Sequence, residues 1–86
     1  MPELSRFFGI AIRMFYSDHE PAHFHAIYGE FEALIEIDTL SVFRGSLPRR
    51  ALALVLEWAA LHRTELREDW RRARNGEALN EIEALD

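Results

Sequence analysis

Hydrophobic and polar positions alternate in twos along the first half of the chain and in threes and fours along the second, and the change falls between residues 45 and 47. The first alternating run, residues 9–16, places Ile10, Ile12, Met14 and Tyr16 on one face and Ala11, Arg13 and Phe15 on the other, which predicts a strand. Residues 17–22 (SDHEPA) carry turn chemistry in Asp18 and Pro21. A second strand is expected over residues 23–28, and Gly29-Glu30 fits the Gly-X form of a two-residue hairpin turn. The third strand, FEALIEID, sets Phe31, Ala33, Ile35 and Ile37 against Glu32, Glu36 and Asp38. A fourth, shorter strand is expected over residues 41–44.

The helical half begins near Leu47-Pro48, where proline suits a first turn. Leu52, Val55, Leu56, Ala59, Leu66, Trp70 and Ala73 form a stripe at helical spacing, and Asn75-Gly76 is a natural stop. One helix over residues 48–75 would be long for so small a chain, and Thr64-Glu65 could cap a second helix after a bend. Leu54, Trp58 and Leu61 make a second apolar stripe beside the first. A small sheet covering only one of the two would leave the other for self-association, as a homodimer through the apolar helix, or for a partner protein. The expected architecture is therefore α+β: one domain over residues 1–86, with an antiparallel meander of about four strands (residues 9–44). One long or two shorter helices (residues 48–75) pack on one face of the meander. The acidic tail, residues 77–86, is open to an extended or a frayed conformation.

Composition narrows the class. With 86 residues, 49% apolar and 29% charged, the chain reads as an ordinary globular domain. The absence of cysteine excludes disulfides and thiolate metal sites. No apolar run approaches the roughly 18 residues of a membrane span, and the N-terminus lacks the pattern of a secretory leader, so a cytoplasmic location with no membrane partner is expected. The net charge of −5 is uneven. Residues 1–43 hold two arginines against seven acidic residues, a net of −5, whereas residues 44–75 hold eight arginines against four, a net of +4. All ten basic residues are arginine. Nucleic acid is thus a candidate partner for the arginine-rich helix end around Arg67, Arg71, Arg72 and Arg74. The interleaved Glu65, Glu68 and Asp69 also fit an ordinary solvated helix face.

The densest chemistry lies in DHEPAHFHAIYGE, residues 18–30, which contains His19, His23 and His25, three of the four histidines; His62 sits apart on the helix. Pairing the second and third strands across Gly29-Glu30 sets Tyr28 opposite Phe31, Ala26 opposite Ala33 and Phe24 opposite Ile35, all on one face. The same register places His25 opposite Leu34 and His23 opposite Glu36, on the other face with Glu32. His-x-His on a strand can present two imidazoles to one ion. His19 could add a third nitrogen, and Asp18 or Glu36 an oxygen, which is a donor set suited to a divalent transition metal such as zinc. Glu36 could instead orient His23. A His–Glu pair across a strand is also a common surface feature worth little. A metal-free use of the same residues is proton transfer by His23 or His25 with Arg13 holding a phosphate, as in RNA cleavage.

The segments SRFFGIAIRMFY, DHEPAHFHAIYGEFEALIEID, GSLPRRALALVLEWAALHR and LREDW resemble the bacterial family called domain of unknown function 4160, over residues 5–74. Asp18, His19, Pro21, His23 and His25 form its most specific mark; where the family typically has a second proline, this chain has Ala22. The resemblance carries no catalytic residues with it. It implies a small prokaryotic cytoplasmic protein, often encoded beside a domain of unknown function 2442 protein in toxin–antitoxin-like arrangements. On that implication the chain acts through a small protein partner, with residues 18–36 as its functional surface. A metal-binding role for His19, His23, His25 and Glu36 and an arginine-driven nucleic-acid role stand beside it.

Overall fold

The computed structural model describes residues 3–86. Five strands form one antiparallel sheet in sequence order: β1 (Glu3–Phe7), β2 (Ile10–Arg13), β3 (His23–Tyr28), β4 (Phe31–Glu36) and β5 (Val42–Ser46). Two helices follow, α1 (Arg49–Leu61) and α2 (Arg63–Arg74). The fold is α+β, as the periodicity predicts. The β3–β4 register also agrees residue for residue, from His23 opposite Glu36 to Tyr28 opposite Phe31. Gly29 takes the first turn position at φ 58°, where the missing Cβ removes the usual penalty.

β1 has no counterpart among the expected strands. A bulge between Glu3 and Ser5 puts an extra residue into the strand, so Leu4 and Phe7 fall three apart and the period of two is lost. β1 and β2 join through Phe8-Gly9, both at positive φ (50° and 79°), which is a type I′ turn with phenylalanine in a position that asparagine or glycine usually takes. The expected first strand is correspondingly shorter: Gly9 belongs to this turn, Met14 is buried beyond the strand end, and Tyr16 is exposed.

The core face of the sheet carries Ile10, Ile12, Phe24, Ala26, Ala33 and Ile35, all buried, and α1 packs Val55, Trp58 and Ala59 against it. Phe7 and Phe24 both lie against the Trp58 ring, with centroids 5.4 and 6.0 Å away. The helical stretch breaks at His62, two residues before Thr64, and Arg63 and Arg67 then bond the Ile37 carbonyl and the Asp38 carboxylate beyond β4. α2 stops at Asn75-Gly76: Gly76 takes φ 71°, and the Glu77 and Gly76 N–H groups donate to the Arg72 and Ala73 carbonyls.

The tail does not fray. Ile82 is buried, its N–H donates to the Leu4 carbonyl at 2.7 Å, and Trp58 Nε1–H donates to the Glu83 carbonyl at 2.8 Å. The residues expected to expose a second helical stripe are thereby largely covered within the chain itself: Trp58 is buried, Leu54 half-buried, and Leu61 alone of the three stands in solvent. Among the described residues, no helix is long and apolar enough to cross a membrane.

Candidate metal centre

His23 and His25 alternate with Phe24 and Ala26, so the residues that fill the core dictate that both imidazoles leave the sheet on its other face. That face is not open. α2 crosses the sheet end with Trp70 against His23 (5.3 Å between centroids), Phe43 meets His23 edge-on at 5.2 Å, and Phe15 meets His25 edge-on at 4.5 Å. Both histidines are buried as a result, His23 to 3% exposure. The loop between β2 and β3 brings Asp18 back over them. It is held by the Ile37 N–H donating to the Ala22 carbonyl and by Arg74 on Glu20 at 2.6 Å.

The two rings are oriented alike. His23 Nδ1–H donates to the Pro21 carbonyl at 2.7 Å, since a carbonyl can only accept. His25 Nδ1–H donates to Glu32 Oε2 at 2.8 Å. With each Nδ1 so committed, both Nε2 atoms face Asp18 Oδ2, at 3.2 Å from His23 and 2.9 Å from His25. The His23 contact is off the line a hydrogen bond requires, leaving a buried ring nitrogen with no hydrogen-bond partner among the described residues. Two nitrogens and a carboxylate oxygen, all within 4.8 Å of one another, therefore converge on one point. Neutral imidazoles of this tautomer would aim two lone pairs at an anion, so the arrangement calls for positive charge between them. A proton on a ring or a metal cation supplies it.

The spacing suits a metal. Ligands at about 2.1 Å from a cation stand roughly 3.0 Å apart at right angles and roughly 3.4 Å apart in a tetrahedron; the 3.2 Å separation from Asp18 to His23 falls between these and the 2.9 Å separation to His25 just below them. Two histidines and one carboxylate leave coordination positions open, and Asp18, half-buried, borders solvent. Glu32 and the Pro21 carbonyl then hold the ring orientations from behind.

Of the residues singled out in the sequence, the structure brings together Asp18, His23 and His25. His19 is exposed and outside the group. Glu36 lies opposite His23 in register, but His23 turns its Nδ1 back to its own loop, and among the described residues the Glu36 side chain makes no hydrogen bond or ion pair. Arg13 is the register partner of His25, yet its guanidinium reaches toward Glu3 at 3.9 Å. Glu32 is the partner that cross-strand opposition does not name. It pairs with Ile27 and reaches His25 on the diagonal, within the span such neighbours allow. Arg67, Arg71, Arg72 and Arg74 are each ion-paired, to Asp38, Glu68 and Glu77, Glu68 and Glu77, and Glu20 respectively. That is the solvated helix face rather than a free basic patch.

A family model described as Domain of unknown function (DUF4160) matches residues 9–71, and the chain belongs to that family. No curated protein and no solved structure matches it.

Proposed function

We propose that this DUF4160 protein binds a divalent transition metal through Asp18, His23 and His25, and that the open positions on the metal are where it acts. The observation that carries this reading is the buried His23 Nε2, left without a hydrogen-bond partner among the described residues and aimed with His25 Nε2 at one Asp18 oxygen. A solvated surface pair would be satisfied by water. This nitrogen is shut away by Trp70 and Phe43, where an unmet polar atom costs about 1–3 kcal/mol. A metal with three protein ligands and open positions polarises a bound water or a substrate oxygen as a Lewis acid. The chain's own contribution is to fix both imidazole tautomers through Pro21 and Glu32 and to wall the site with aromatic rings.

Elemental analysis of protein made without a histidine tag tests the reading. Near-stoichiometric zinc, iron, manganese or nickel is expected, absent from a His23→Ala, His25→Ala variant that keeps its circular-dichroism spectrum. Wild-type protein that stays metal-free after addition of each ion in turn overturns it.

The partner-dependent, toxin–antitoxin-type role implied by the resemblance is the second reading. What favours it is Leu61, 68% exposed at the end of α1 beside the tail residue Leu85. As a toxin the protein arrests growth on expression, and His23→Ala or His25→Ala relieves the arrest; as a partner-binding module alone it loses its partner on Leu61→Asp and keeps it on loss of the histidines.

A further inference from the structure

At the opposite end of the sheet from Asp18, the β1–β2 turn, the β3–β4 turn and the start of α1 meet. Three aromatic rings stand in solvent there: Phe8 is 57% exposed, Tyr28 39% and Phe31 41%. Tyr28 and Phe31 are direct register partners, and Phe8, Tyr28 and Arg50 border one open groove of about 260 Å³. Phe8 is held out by a turn in which its φ of 50° is a conformation that residues with a Cβ rarely adopt. A strained backbone that presents a large apolar ring to water points to a use for the ring.

The charge at this corner is unspent. Seven of the ten arginines hold an ion pair or a hydrogen bond among the described residues: Arg6, Arg13, Arg63, Arg67, Arg71, Arg72 and Arg74. The three that hold none, Arg44, Arg49 and Arg50, all fall in β5 and the first turn of α1, which contains no acidic residue. Arg44 stands opposite Leu34 on the other face of the sheet, but Arg50 lines the groove with Phe8 and Tyr28, and Arg49 precedes it in the same helical turn.

We propose that this corner binds single-stranded nucleic acid. Bases offer flat faces for Phe8, Tyr28 and Phe31 to stack on, and phosphates offer the negative partners that Arg49 and Arg50 lack among the described residues. An acidic peptide would meet the guanidiniums but leave the ring faces without planar partners. The other arginines, Arg44 on the opposite face apart, are held by carboxylates or a carbonyl among the described residues, so this corner is where a polyanion meets free guanidiniums beside the rings. The site is independent of the metal centre and stands or falls without it.

Fluorescence anisotropy with a labelled single strand of about 12 nucleotides, in RNA and DNA forms, tests the proposal at about 50 mM salt. Phe8→Gly is the informative variant, because glycine adopts φ 50° freely and the turn survives. Its affinity is expected to drop on the order of 5- to 100-fold, from the loss of one stacked base. The Arg49→Ala, Arg50→Ala variant is expected to flatten the slope of log K against log salt by about 1.4, from two lost phosphate contacts. Any one of four results overturns the proposal: no binding by wild-type protein, wild-type affinity in Phe8→Gly, an unchanged salt slope, or equal displacement of the strand by an acidic, tyrosine-containing peptide.

Discussion

Replacing Gly45 with alanine places a methyl group into the neighbouring strand. Gly45 lies opposite Ala33 in the β4–β5 ladder at φ 76°. A Cβ there would overlap the Glu32 carbonyl oxygen and stand 3.1 Å from its carbon and 3.3 Å from the Ala33 Cα. All three are backbone atoms of a central strand and have nowhere to move without breaking the ladder. The left-handed conformation alone costs a Cβ-bearing residue about 1–2 kcal/mol. Forcing the strands apart adds about 1–3 kcal/mol, the usual scale for overpacking. A total near 3 kcal/mol lowers Tm by roughly 12–24 °C in a domain of this size. Gly29→Ala is the matched control, since Gly29 has φ 58° but nothing within 4 Å of the added carbon. It should lose only the conformational part, about 1 kcal/mol or roughly 4–8 °C. Thermal unfolding followed by circular dichroism reads both. Equal losses in the two variants would refute the argument that the β4 backbone fills the space a side chain would need.

Three further outcomes are expected. Glu32→Ala should weaken metal binding by about 10- to 100-fold in isothermal titration, because His25 loses the acceptor that fixes its tautomer. Asp69 is fully buried; its Oδ1 accepts the Asn80 N–H at 2.8 Å, and its Oδ2 has no partner among the described residues. Burial pushes its carboxyl above the usual range, with the Asn80 bond opposing the shift. The folded state therefore holds the proton longer than the unfolded chain. Stability should fall as pH rises from about 4 through the raised value and level off above it. Asp69→Asn should remove that slope in urea unfolding repeated across pH. Ile82→Ala should cost about 2 kcal/mol, the low end for a buried isoleucine because the tail can relax, and roughly 8–16 °C in Tm.

The parts of the fold that were legible in the sequence are those where side chains obey a strict period. Phe24, Ala26, Ala33 and Ile35 define the β3–β4 register, and with it the side on which His23 and His25 emerge. β1 escaped because its bulge at Leu4 destroys the alternation that would announce it. The tail escaped because its anchors, Ile82 to Leu4 and Glu83 to Trp58, are single contacts across long stretches of chain, with no periodic trace. The site divides in the same way. The sequence groups the histidines, but which of His19, Asp18 and Glu36 joins them depends on how the loop folds back and how Trp70 arrives from α2. Burial of His23 is likewise in part a consequence of α2 crossing the sheet end, which no local pattern encodes.

The most direct test of the central claim is a cobalt(II) titration followed by its visible absorption, in wild-type protein and in the Asp18→Ala and His19→Ala variants. A centre built from Asp18, His23 and His25 predicts that His19→Ala binds as the wild type does. Asp18→Ala should lose on the order of 100-fold or more in affinity, because a first ligand is gone rather than an outer partner. Unchanged binding in Asp18→Ala, with loss in His19→Ala, would contradict the assignment and move the third ligand to the exposed loop histidine.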